Sequence, residues 1–448
     1  MPAYAIDSRL FRDQFSTPAM RAIWDDEVTV QRWLDVEAGL AQAQADVGLI
    51  PREAAQIIER AARVDALDLE SLKLEMDRTA HPIVPLVRAL AAVCEGEAGR
   101  YVHWGATTQD IVDTGFVLQI RDAWALVEED VAHLTAQCER LAAEHRDTPV
   151  AGRTHGQQAQ PVTFGYKCAV WVAELRRHAQ RMDQCRERLL VGQFGGAVGT
   201  LASLGDDGLA VQARLMERLG LAQPLITWHT ARDGFAEAVC LLAMLAGTAG
   251  KIAHEVYTLQ RTEFAELEEP NPEGKVGSST MPHKRNPAVC EGIMALARSA
   301  RAAAPQALES LVAEHERDKV ELQAERDYLP RVFCHAQAAL ARTAWVLEGL
   351  TVRADNMRRN LDASGGLILS EAVMMRLSPL MGRQAAHTLL HAACMAAFEE
   401  GRPMKQTLMA EPAVTEHLDE AEIDRLLAPE NYTGLAARMV DHVLAGGE

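Results

Sequence analysis

Val117, Ile120, Trp124, Val127, Val131, Leu134, Cys138 and Leu141 fall at alternating steps of three and four residues. A seam sustained over more than three heptads belongs to one long helix packed nearly parallel to its neighbours, the arrangement of a bundle. Trp33, Val36, Leu40, Ala43 and Val47 repeat the pattern on a shorter helix, stopped by Gly48 with Pro51 beyond. Two further long proline-free stretches run over 162–191 and 233–264. Convincing alternating strands are scarce. The pattern therefore predicts an all-α protein built on a central helical bundle.

With 448 residues the chain is long enough for about three domains. Few aromatics and much alanine and leucine favour helix over sheet. A net charge of −18 argues against a nucleic-acid partner. An anionic small substrate would then need a local cationic pocket within a repelling whole. The eight cysteines occur singly, without zinc-ligand spacing, and read as reduced buried thiols of a cytoplasmic protein. No apolar signal core opens the chain, and the run 238–249 is too short to span a bilayer. Periodicity breaks at Glu95–Arg100, before the long seam, and again at Asp362–Gly366.

Several local motifs invite chemistry. Gly195-Gly-Ala-Val-Gly-Thr200 follows a helical stretch rather than a strand, which argues against a dinucleotide turn. His387 and His391 have a metal-binding spacing on a helix, but no zincin glutamate accompanies them and they read as structural. Residues 277–287, Gly-Ser-Ser-Thr-Met-Pro-His-Lys-Arg-Asn-Pro, follow Glu-Glu-Pro-Asn-Pro-Glu-Gly-Lys-Val. Pro270, Pro272 and Gly274 in that lead-in, with Gly277 just after it, set the run in a loop. Its small residues, amides, hydroxyls and cations suit a carboxylate, and a serine near a fixed cation can be pushed toward alkoxide.

This loop resembles the signature of the fumarase/aspartase superfamily, in its adenylosuccinate lyase and carboxymuconate cycloisomerase branch. His103-Trp-Gly-Ala-Thr-Thr-Gln-Asp-Ile-Val-Asp-Thr114 resembles the first signature segment and Gly152-Arg-Thr-His-Gly-Gln-Gln-Ala-Gln-Pro161 the second. With Phe15-Ser-Thr-Pro-Ala-Met-Arg-Ala-Ile-Trp24 the likeness covers nearly the whole chain, and Gly195–Thr200 is similar to the glycine-rich loop after the second bundle helix.

The resemblance implies an all-α fold in three domains, here placed at 1–105, 106–355 and 356–448. It also implies a homotetramer with a twenty-helix core, whose active sites each draw segments from three subunits. No metal or cofactor is implied. The implied reaction is β-elimination from a succinyl-type dicarboxylate, usually releasing fumarate, or the reverse addition. Ser278 matches the base, with Ser279 left open; Lys284 and Asn286 suit an aci-carboxylate intermediate. His155 matches the proton donor to the leaving group, and Glu291 the carboxylate that would orient it in a buried pair. His81, His103, Thr107, Thr108, Gln109, Arg153, Thr154, Met281 and Arg326 complete the implied substrate contacts.

The cycloisomerases share Trp228-His-Thr and Glu314-His-Glu-Arg but place a histidine where this chain has Gln158, and lack counterparts of His155, Glu291 and His81. Adenylosuccinate lyases share those residues. They carry a second arginine where this chain has Gly234, and a phosphate-site serine where it has Leu322. Losing charged donors weakens a phosphate site. The expectation is thus a carbon–nitrogen lyase acting on a non-nucleotide N-substituted aspartate or related amino- or nitrosuccinate. A lactone-forming cycloisomerase and an inactive helical structural homologue are the alternatives.

Overall fold

The computed structural model describes residues 2–446. Helix takes 67% of the chain and strand 4%, so the protein is all-α as the periodicity requires. The long seam lies on a single helix, Thr108–Glu144, and all eight seam residues are buried. At 1.5 Å per residue its 37 residues span about 55 Å. The other expected long helices are Asp26–Asp46, Phe164–Leu189 and Asp233–Leu259, joined by Lys319–Glu348.

The chain forms two compact units. The first comprises Met1–Val131, His178–Gly247 and Ala295–Leu340. Its helix Asp26–Asp46 starts where the Asp25 side chain accepts the Glu27 amide, with Asp26 and Glu27 in the first turn favoured by the helix dipole. Gly115 lets the long helix approach this one closely, because a Cβ there would lie 2.7 Å from the Trp33 ring. Trp24, Phe116, Trp124 and Phe333 form a tilted and edge-on aromatic cluster at the centre of the unit.

The second unit comprises Ala132–Arg177, Thr248–Met294 and Ala341–Glu448. Leu377, Leu390, Met404, Leu408, Val414 and Ile423 make a separate core among its C-terminal helices. It also holds one element that periodicity did not indicate, an antiparallel hairpin of Pro149–Thr154 and Gln157–Thr163. The reason is its register: a shift at Gly152/Arg153 breaks the alternation that marks a strand.

Helix Asp233–Leu259 is long and apolar enough to cross a membrane by length and composition, but 67% of that window is buried inside the protein. Its apolar faces are those of a core helix. His387 and His391 are exposed on helix Arg383–Glu400, with rings 6.4 Å apart, rather than packed as structural histidines.

Candidate active site

Within the first unit, the segment before the long helix is fixed by one buried carboxylate. Asp110 accepts the amides of Thr107, Gly195 and Gly196 at 3.0, 2.9 and 2.9 Å, and His229 donates Nε2–H to it at 3.0 Å. The glycine-rich run is therefore a buttress for the Thr107–Thr108 turn. Gln109 is buried behind it, donating to Asp113 and to the His229 carbonyl. Arg232 forms ion pairs with Asp113 at 2.8 Å and with Glu325, all three buried. The rings of Trp228 and Phe235 flank its guanidinium.

In front of this frame stand the histidines. The Val84 amide donates to His81 Nδ1 at 3.1 Å, which leaves the proton of the neutral ring on Nε2, 3.0 Å from Thr108 Oγ1. Burial first, then the charges of Lys319, His103 and Arg326, lower His81's affinity for a second proton. His103 donates Nδ1–H to Glu37 at 2.6 Å. Burial opposes its charge, but the hydrogen bond and charge of Glu37, with Asp110 beyond, raise its proton affinity above the ordinary value. Arg326 is half-buried on the Lys319–Glu348 helix, donating to Gln323 at 2.8 Å.

The second unit carries the other two signature segments. His155 and Gly156 are the two-residue turn of the hairpin, with φ of 53° and 77°. Two consecutive positive φ values define a type I′ turn, whose first position tolerates histidine better than most residues. The turn lifts His155 into solvent. Thr154 beside it is exposed, whereas Arg153 points inward to Glu266 as a bidentate pair at 2.6 and 3.1 Å, its guanidinium over Phe264.

Residues 277–287 are a loop, as the glycines and prolines require. The amides of Met281 and Thr280 donate to Ser278 Oγ at 3.0 and 3.3 Å. The loop folds back on itself at Gly277, where a Cβ would lie 2.1 Å from the Lys284 carbonyl. Glu269, fully buried, anchors both ends of it. Its carboxylate receives Lys275 Nζ at 2.6 Å and the amides of Val289 and Cys290 at 3.1 and 2.9 Å. Lys284, Asn286 and Glu291 line one cavity of about 710 Å³ with His283, Arg261 and Arg353. Ser279 and Met281 are exposed beside it in the chain.

The buried pair expected between His155 and Glu291 is not formed within one chain: both side chains are exposed. The residues that sequence reading missed are the carboxylates that hold these segments, Glu37 and Asp110 in the first unit and Glu266 and Glu269 in the second. One signal was present: Glu37 lies four after Trp33 and three before Leu40, a charge on a core seam that demands a buried partner.

An all-α chain that presents two histidine-bearing segments and a Ser-Ser-Thr-Met-Pro-His-Lys loop has the architecture of a lyase. Residues 12–301 match the lyase family and residues 366–443 the adenylosuccinate lyase C-terminus. The chain belongs to this family, in the adenylosuccinate lyase and carboxymuconate cycloisomerase branch of the fumarase/aspartase superfamily. It is 44% identical, over 99% of its length and 98% of the relative's, to N-acetyl-S-(2-succino)cysteine lyase of Dickeya dadantii. It is 43% identical to adenylosuccinate lyase of Methanothermobacter thermautotrophicus, over 96% of this chain and 97% of that one. The solved 3-carboxy-cis,cis-muconate lactonizing enzyme of Pseudomonas putida superposes with a TM-score of 0.93 at 40% identity, covering 98% of both chains. The chain is thus a lyase of the fumarase/aspartase superfamily.

Proposed function

We propose that the protein eliminates a thiol from a 2-succinyl thioether, releasing fumarate. Sulfur, rather than the nitrogen expected from the sequence, is favoured by the 44% identity to a lyase named for an S-(2-succino) compound. The reaction type is supported by the setting of Ser278.

A hydrogen on the carbon next to a carboxylate is a very weak acid. Ser278 becomes a strong enough base only if its alkoxide is stabilised, and the two amides at its Oγ supply that. Ser278 takes the proton, and the electron pair moves into the adjacent carboxylate. Lys284 and Asn286 stabilise the resulting aci-carboxylate. The pair then returns to form the carbon–carbon double bond of fumarate as the carbon–sulfur bond breaks. The departing sulfur keeps its bonding pair and takes a proton from His155. In this reading Glu291 orients His155 from another copy of the chain. Arg153 and Gln109, held by Glu266 and Asp113, act from behind the site.

The active form in this account is a homotetramer. Leu225, Ile226, Val312 and Val320 of the first unit are each at least 70% exposed, apolar surface of the kind that a neighbouring subunit covers. The eight cysteines are all free thiols, in keeping with a reducing cytoplasm.

One observation favours a second reading, carbon–nitrogen cleavage of an aminosuccinate. A thiol has a pKa of about 8.5 and can leave as its anion, whereas an amine needs a proton donor such as His155. Lactone formation has less support, since Gln158 at the cycloisomerase histidine position donates its amide to the Asn360 carbonyl at 3.0 Å. Incubation with N-acetyl-S-(2-succino)cysteine tests the proposal. Fumarate absorbance and titratable thiol should rise in equal amounts. No product from the thioether, with fumarate from an aminosuccinate, would favour the second reading.

A further inference from the structure

His81 immediately precedes Pro82, the residue that opens helix Ile83–Val93. The first amides of a helix have no partner within it, and Pro82 has no side-chain acceptor to cap them. The Val84 amide finds its acceptor in His81 Nδ1 at 3.1 Å. An amide only donates, so Nδ1 offers its lone pair and the ring proton lies on Nε2. A second proton would have to sit on Nδ1, against that amide. Burial disfavours it further, as do the charges of Lys319 and Arg326 from helix Lys319–Glu348 and of His103 from the segment before the long helix.

The Nε2–H donates to Thr108 Oγ1 at 3.0 Å. A hydroxyl that accepts from a nitrogen keeps its own hydrogen to give. Among the described residues no protein group takes that hydrogen. Thr108 is also on a rigid mount. It opens helix Thr108–Glu144, and Asp110 one turn in holds the amides of Thr107, Gly195 and Gly196. A threonine hydroxyl ordinarily rotates to donate or accept as its surroundings ask. Here a backbone amide at Val84 decides, through the two nitrogens of one ring, that Thr108 donates. A fixed donor suits an acceptor-only group such as a carboxylate.

We propose that His81 is a positioning residue that fixes the Thr108 hydroxyl as a donor to a carboxylate oxygen of the succinyl group, without touching the substrate itself. This rests on the elimination proposed above and adds how the first segment meets the anion. It replaces the direct contact that the resemblance implies for His81.

The test is a double-mutant cycle read by fumarate absorbance from N-acetyl-S-(2-succino)cysteine. Asparagine at position 81 keeps an acceptor for the Val84 amide but falls short of Thr108, whereas glutamine reaches it with a donor. His81→Asn and Thr108→Val should each lower kcat/KM by roughly 10–100-fold, the usual worth of one hydrogen bond to a charged group. Combined, they should lose no more than Thr108→Val alone, because His81 acts through that hydroxyl. His81→Gln should recover most of the activity. Circular dichroism and thermal unfolding check that each variant folds. Losses that multiply in the double variant, or a His81→Asn protein as active as wild type, overturn the role while leaving the elimination intact. No fumarate from the wild-type protein overturns both.

Discussion

Lys275 donates its ammonium to buried Glu269 at 2.6 Å, and the same carboxylate accepts the Cys290 amide at 2.9 Å. One side chain thus clamps the chain on both sides of the 277–287 loop and caps the first turn of helix Ala288–Arg301. Glu269→Gln removes the charge that holds Lys275 and weakens the cap. Breaking one side of a buried pair costs roughly 3–5 kcal/mol; part of that is recovered here because Lys275 can reach solvent. The expected outcome is a loss of about 2–3 kcal/mol in denaturant unfolding, with kcat falling more than KM rises. Unchanged kcat would show that the loop keeps its geometry without the clamp.

Ser278 and Ser279 are separated by the structure in a way that sequence did not allow. Of the two, only Ser278 Oγ receives loop amides among the described residues. Ser278→Ala should lower kcat by about 10²–10⁴, the usual worth of a general base, with the helical circular dichroism signal unchanged. Ser279→Ala should stay within about tenfold of wild type. The reverse pattern would transfer the role to Ser279.

His103 holds its proton more tightly in the folded chain than in the unfolded one, since Glu37 and Asp110 outweigh the burial that opposes its charge. The stability this adds is full below the ordinary histidine pKa of about 6.5 and fades as pH rises through the elevated folded value. Glu37→Gln should therefore cost most on the acid side, roughly 1.5–3 kcal/mol, and progressively less as pH rises through the elevated folded value. Unfolding free energies measured across that window check the slope. A penalty independent of pH would show that Glu37 acts through packing alone.

If His155 works with a Glu291 supplied by another copy, and Ser278 lies on a different copy from His155, defects in the two segments should complement. His155→Ala and Ser278→Ala proteins, each inactive, are mixed after mild dissociation. Hybrid tetramers regain part of the wild-type activity. A mixture as inactive as its components would place both residues in one chain's site.

The helical scaffold was legible because the seam from Val117 to Leu141 repeats over many turns, and every one of its residues is buried. The hairpin was not, since its bulge at Gly152/Arg153 spoils the period. His155-Gly156 is nonetheless a two-residue turn signal of the same kind as Asn-Gly, and reading it as such would have placed His155 at an exposed tip. The chemistry-bearing side chains could be proposed from motif order. The carboxylates that position them could not, because Asp110 and Glu269 act on partners up to 119 residues away and leave no local pattern. Glu37 was the exception, a charge on an apolar seam.

The most direct measurement is kcat/KM of the purified protein, followed by fumarate or lactone absorbance. The panel comprises N-acetyl-S-(2-succino)cysteine, adenylosuccinate, carboxymuconate and small N-substituted aspartates. Elimination of a thiol predicts the thioether as the best substrate, with adenylosuccinate poorer by about 10²–10⁴, the effect of two missing phosphate contacts. Efficient lactone formation from carboxymuconate, or adenylosuccinate cleaved as well as the thioether, would contradict the account.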